Sequence, residues 1–197
     1  METKRLVIVA VGGQGNLLAS SVLGEAAMRT GIALNMSEIH GMAQRGGVVE
    51  SSLVFGDAKS PIISDGEADI LVGFEPAETL RAIGKCNADT VVITNLAPLM
   101  PFTVNIGQGV YPDLKELQEL IRRKTSKLIA FNAAAKAKEA GNPLSVNMVL
   151  LGALTQTGVL PLSVEQVKNA MRTKTKKAFL DSNLKAFDLG YAAAASA

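Results

Sequence analysis

The chain is most informative first in what it lacks. Among 197 residues it has one cysteine, Cys86, and one histidine, His40. One thiol excludes an internal disulfide. One thiol and one imidazole together exclude a self-contained iron–sulfur or cysteine/histidine zinc centre. There is no tryptophan and aromatics make up 4% of the chain, which leaves few platforms on which single-stranded bases would stack. The formal net charge is +2, too small a field to argue for nucleic acid. Two basic clusters, Arg122-Arg123-Lys124 and Lys174, Lys176, Lys177, read as solvated helix ends. No apolar run reaches the ~20 residues a membrane span needs. A strand begins almost at once, without the h-region and cleavage site of a signal peptide. The expectation is a cytoplasmic protein with no nucleic-acid or membrane partner and no cofactor held by this chain alone.

What is present is a large apolar fraction, 48%, distributed in short runs that alternate with helical patterns. The length suits one domain with an α/β core over about 1–142 and C-terminal helices over about 143–197. Strands are predicted at 4–10, 32–38, 48–55, 68–74, 90–94 and 128–131, with two further short ones at 61–63 and 102–106. The first two enclose a helix near 15–30 that Gly31 closes, a β-α-β unit. The pair 48–55 and 61–63 reads as a small antiparallel excursion. Pro76 opens a helix that Gly84 ends, and Asp113 with Glu116 resembles a capping box. Later helices are predicted at 132–140, 147–156, from Ser163-Val164-Glu165-Gln166 onward, and at 176–195. The fold class is therefore Rossmann-like: an open, mostly parallel sheet with flanking helices and a helical C-terminal third.

The stretch Leu6-Val7-Ile8-Val9-Ala10-Val11 stops at Gly12-Gly13-Gln14-Gly15 before the first helix. A buried strand that turns through glycines into a helix leaves unpaired N–H groups, which can receive an anion, a carbonyl or a neighbouring loop. The dinucleotide fingerprint is met in its first two glycines, and Glu38 stands where a ribose-binding acid belongs. Leu18, however, replaces the third small residue, and Gly12 and Gln14 are not accounted for. No Gly-Lys-Ser/Thr follows, so a Walker loop is absent. A free-standing NAD(P)-binding protein and a purely structural oligomer scaffold both stay open.

A second constellation runs from Glu38 to Glu50, with His40, Gln44, Arg45, Gly46 and Gly47 in a loop between strands. His40 could exchange protons near neutrality. It could equally be a loop histidine bonded to backbone. Arg45 offers a fork for a carboxylate or phosphate, or an ion pair with Glu38 or Glu50. Cys86, placed after Gly84-Lys85 at a helix C-terminus, is a poor nucleophile there, since that end of the dipole disfavours a thiolate. Ser145 and Asn147 could orient a ligand or cap a helix. No Ser-His-Asp order and no paired-carboxylate spacing is found, so no catalytic residue is assigned.

Three strings carry a resemblance: Val11-Gly12-Gly13-Gln14-Gly15, Ser37-Glu38-Ile39-His40-Gly41-Met42-Ala43-Gln44-Arg45-Gly46-Gly47, and Ala68 through Pro76. They closely resemble the gamma-type domain of 2-oxoacid:ferredoxin oxidoreductases. The second string, with Gly73-Phe74-Glu75-Pro76, looks most like the beta subunit of the indolepyruvate type, and Asn147 to Ala153 also fits. The resemblance implies a subunit of an enzyme that oxidatively decarboxylates a 2-oxoacid, in the indolepyruvate type an arylpyruvate, to an acyl-CoA. Thiamine diphosphate, Mg and 4Fe–4S clusters would lie on a large partner subunit, coenzyme A on or shared with it, and ferredoxin would receive electrons through the complex. It further implies that Gly12, Gly13, Gln14 and Gly15 face the partner. His40, Gln44, Arg45, Gly46 and Gly47 would lie nearest the shared active site, with Glu38 and Asn147 as further contacts. The isolated chain is then expected to be inactive and free to pair with itself.

Overall fold

The computed structural model describes residues 2–41 and 47–196. Six strands form one sheet in the order β2-β3-β1-β4-β5-β6. They are β1 Lys4–Val11, β2 Leu34–His40, β3 Val48–Phe55, β4 Ala68–Gly73, β5 Cys86–Asn95 and β6 Lys127–Phe131. The helices are α1 Asn16–Arg29, α2 Pro76–Arg81, α3 Phe102–Asn105, α4 Leu114–Lys124, α5 Ala133–Glu139, α6 Val146–Gln156, α7 Val164–Lys174 and α8 Leu180–Ala195. Strands β1, β4, β5 and β6 are parallel, whereas β3 runs antiparallel to both β1 and β2.

The alternation of β1 divides the core. Leu6, Ile8 and Ala10 face one layer with α1, α6 and α8, and Val7 and Val9 face the other with Leu117 and Ile121 of α4. Because both faces are covered, β1 reads as a continuous apolar run instead of an alternating one. Helix α6 is buried almost all round, packed between the sheet and α8. The C-terminal helices thus share the core of the sheet.

Three sequence expectations are corrected. The strand 48–55 does pair antiparallel, but with β1 and β2; residues 61–63 form no strand. Seven residues separate β2 from β3, enough for a hairpin and too few for a parallel crossover. Once β3 lies between β1 and β2 it has no free edge to offer, and Pro61 lacks a ladder N–H. For the same reason β1 and β2 share an orientation without being neighbours. Residues 102–105 form a single helical turn, with Asn105 N–H donating to the Pro101 carbonyl at 3.1 Å; five apolar-alternating residues fit either period. Cys86 follows the short 3-10 helix Ala82–Lys85 as its C-cap, as the sequence placed it, and also opens β5. The last helix begins at Leu180, after a short 3-10 turn at 177–179.

Capping follows the sequence more closely. Ser163 and Gln166 form a full capping box on α7. Asp113 accepts from Lys115 and Glu116 N–H on α4, without the reciprocal bond.

Candidate functional site

The carboxyl ends of β1, β4 and β5 converge beside the glycine turn. Val11 N–H donates to Gln14 Oε1 at 2.8 Å, and Gln14 Nε2 donates to the Phe74 carbonyl at 3.3 Å. Gln14 therefore ties the end of β1 to the end of β4 and fills the crevice between them. Asn95 completes this floor. Its amide donates to the Phe74 and Ala97 carbonyls and accepts from Ala97 and Ala133 N–H. In the sequence Asn95 merely follows an apolar strand; its role depends on three chain segments meeting, the ends of β4 and β5 and the start of α5.

Gly15, at φ +83°, caps α1 in the left-handed region that glycine adopts without a Cβ penalty. Asn147, at the start of α6, donates to the Gly15 carbonyl at 3.2 Å. Gly12 N–H donates to the Gly47 carbonyl at 2.8 Å, so the turn is joined to the end of the 41–47 connection. Gly13 has no atom within 4 Å of where a Cβ would stand and lies open.

Over this turn lies a cleft of about 520 Å³, lined by Gly12, Gly13, Gly15, Asn16, His40 and Gly41, with Val11, Leu17 and Val49. His40 is the last residue of β2, paired to Val49, and exposed. Asn16, the first residue of α1, is 4% exposed, and neither atom of its amide has a partner among the described residues. Burying an unmet amide costs about 1–3 kcal/mol. The sequence reading missed Asn16. Its only signal was a short amide at the first position of an otherwise small and apolar helix.

The remaining sequence candidates are placed as follows. Glu38 sits on β2, where its carboxylate accepts from Ser20 Oγ at 2.9 Å and Ser51 Oγ at 3.3 Å. The inserted β3 moves Glu38 one strand spacing, about 4.8 Å, away from the position beside β1 that a ribose-binding acid takes. With Gln14 in the crevice as well, the geometry does not fit a bound dinucleotide. Leu18 turns toward Leu144 and Val146. Ser145 donates to Asn183 Oδ1 at 2.6 Å and ties α6 to α8. Gln44, Arg45 and Gly46 lie outside the described residues.

Across Val11 is a second cleft, about 580 Å³, formed by Glu75, Glu78 and Arg81 with Leu99, Met100 and Phe102. Glu75 is 1% exposed and fully engaged. One oxygen accepts from Tyr111 and from Leu99 N–H, the other from Glu78 N–H at 3.0 Å. Burial and then the Glu75 carboxylate push the Tyr111 phenol well above its usual range. Glu78 Oε1 accepts from Arg81 at 2.9 Å, while Oε2 has no partner among the described residues. Burial is the main cause raising the Glu78 carboxyl above its ordinary value, opposed by Arg81 and aided by Glu75. Cys86, 1% exposed, has its thiol pushed up to about 11 by burial, and this desolvation removes it as a nucleophile.

No group of three His, Cys, Asp or Glu side chains able to hold a metal is found among the described residues. One buried thiol cannot ligate an iron–sulfur cluster. No helix of the described residues is long and apolar enough to cross a membrane.

Residues 5–193 match the family model described as pyruvate ferredoxin/flavodoxin oxidoreductase. Indolepyruvate oxidoreductase subunit IorB of Pyrococcus horikoshii is 42% identical, over 98% of this chain and 97% of that protein. The gamma subunit of a keto/oxoacid ferredoxin oxidoreductase from Geobacter sulfurreducens superposes with a TM-score of 0.72 at 24% identity. That match covers 98% of this chain and 99% of the other. The fold also matches 32% of a longer chain, the Magnetococcus marinus 2-oxoglutarate:ferredoxin oxidoreductase determined with 2-oxoglutarate, coenzyme A and succinyl-CoA bound. There the TM-score is 0.76 and the identity 20%, over 100% of this chain. On the family model and the full-length identity, the chain belongs to the pyruvate ferredoxin/flavodoxin oxidoreductase family, as an IorB-like subunit.

Proposed function

We propose that this chain is the smaller subunit of an indolepyruvate-type 2-oxoacid:ferredoxin oxidoreductase. A large partner subunit would carry thiamine diphosphate, magnesium and the iron–sulfur clusters, and ferredoxin would take the electrons there. The reading rests above all on 42% identity to an IorB subunit over 98% of this chain. The thiamine group supplies the decarboxylation chemistry on the partner. This chain's own residues shape the wall that faces it.

The Asn16 cleft is the surface we assign to that wall. An unmet amide presents an NH2 group with two donors and a carbonyl acceptor, and the start of α1 adds unpaired N–H groups and the positive end of a 14-residue helix dipole. Such a wall suits a polar or anionic group brought in by the partner or by coenzyme A. His40 stands at its rim, exposed and able to reach the same group. Gln14, Asn95 and Asn147 hold the turn in place. Closure of such a wall excludes water from the reacting centre.

Reconstitution tests the assignment. Mixing the purified chain with the large subunit should restore coenzyme A-dependent, ferredoxin-linked decarboxylation of indolepyruvate that neither chain shows alone. Full turnover by the large subunit alone, or saturable NAD(P)H binding by this chain, would overturn it.

A further inference from the structure

The second cleft is not accounted for by the glycine turn. Glu78 is 7% exposed. One of its carboxylate oxygens is buried without a partner among the described residues, and the residue lines the cleft. Its one ionic partner among the described residues, Arg81, bonds the other oxygen and has a side chain 66% exposed, so water screens that pair. Glu75 has little to offer a shared ligand, because it is 1% exposed and both its oxygens already accept from Tyr111, Leu99 and Glu78 itself. A metal ion would need several oxygens, and among the described residues only one here has no partner. Beside this acid stand Leu99, Met100 and Phe102, exposed by 48%, 42% and 74%. An acidic floor repels phosphate, so nucleotides and nucleic acid do not match. What matches is a cation carried on an apolar support.

Resting on the assignment of a large partner subunit, we propose that this cleft seats a segment of that subunit. A lysine or arginine side chain would bond Glu78 Oε2, and neighbouring apolar residues would cover Met100 and Phe102. The buried oxygen then gains a charge-assisted hydrogen bond, and the exposed ring leaves water. In the free chain the same carboxylate is a cost, since burial disfavours its charged form.

The test compares wild type, Glu78→Gln and Phe102→Ser in binding to the purified large subunit, alongside the stability of each free chain. Glu78→Gln is expected to weaken association about 10- to 100-fold and to flatten its salt dependence, while leaving the free chain as stable as wild type or more so. Phe102→Ser should weaken association several-fold at unchanged stability, because its ring is already in water. Unaltered affinity in both variants overturns the proposal while the functional assignment stands. So does a Glu78→Gln chain whose only defect is lost stability, since that marks an internal pair with Arg81. Self-association of the free chain that Glu78→Gln abolishes overturns it in favour of a second copy. A wild-type chain that does not bind the large subunit at all overturns both readings.

Discussion

Replacing Gly15 by alanine tests the construction of the turn most directly. Two costs add. The backbone at φ +83° lies where an L-residue is strained by about 1–2 kcal/mol. An added Cβ would also stand 2.7 Å from Asn147 Nδ2 and 3.2 Å from Asn147 Cγ. Asn147 is 4% exposed and cannot swing freely into solvent. Moving it breaks the 3.2 Å bond to the Gly15 carbonyl, worth about 1 kcal/mol, and leaves a buried amide group unmet. The sum is about 2–4 kcal/mol. For a chain of this size, where each kcal/mol lowers Tm by about 2–4 °C, that is a fall of roughly 5–15 °C. The decisive assay is a double-mutant cycle, with urea unfolding of wild type, Gly15→Ala, Asn147→Ala and the pair. In the Asn147→Ala background the clash is gone and only the backbone strain remains, so Gly15→Ala should cost about 1–2 kcal/mol there. An equal cost in both backgrounds, with coupling below about 0.5 kcal/mol, would show that Asn147 does not hold the turn.

Two further outcomes follow from packing and titration. A Cβ on Gly190 would stand 1.8 Å from the Val149 carbonyl oxygen, and one on Gly152 would stand 1.9 Å from that of Phe187. Either alanine must force α6 and α8 apart, so each should cost about 3 kcal/mol or more, read as a loss of cooperative urea unfolding or a lowered midpoint. Cys86 should be silent to a thiol reagent in the native chain at pH 8 and react fully in guanidinium. Its folded-state value is raised to about 11 from an ordinary 9.0. The unfolded chain therefore sheds this proton first as pH rises. The stability is present below about pH 9 and is lost toward pH 11, at about 1.4 kcal/mol per pH unit. Unfolding free energies of wild type and Cys86→Ala between pH 8 and 11 should diverge in slope by that amount, and parallel curves would refute it.

Much of the fold is written locally. The apolar runs at 6–11, 70–74 and 91–93, the glycine stops at 31 and 141, and the Ser163–Gln166 box each act within a few residues. Chain-local patterns fix such features. The family strings likewise occupy contiguous residues, which is why 11–15, 37–47 and 68–76 pointed to an oxidoreductase subunit. The sequence could not show where β3 goes. A strand's neighbour is a matter of hydrogen-bonded edges far apart in the chain, and the insertion of β3 between β1 and β2 alone decides that Glu38 meets Ser20 and Ser51 and not a ribose. Likewise 102–105 changed from strand to helix, since a short apolar stretch carries no period of its own. The unmet groups are also tertiary facts. Asn16 and Glu78 look ordinary in the sequence, and only burial beneath converging strand ends withholds water from them without supplying a partner. The glycine turn itself was legible from the start; that Gln14 ties β1 to β4 and that the Asn16 amide is buried unmet beside the cleft was decided by the packing of β1, β4 and α6 around it.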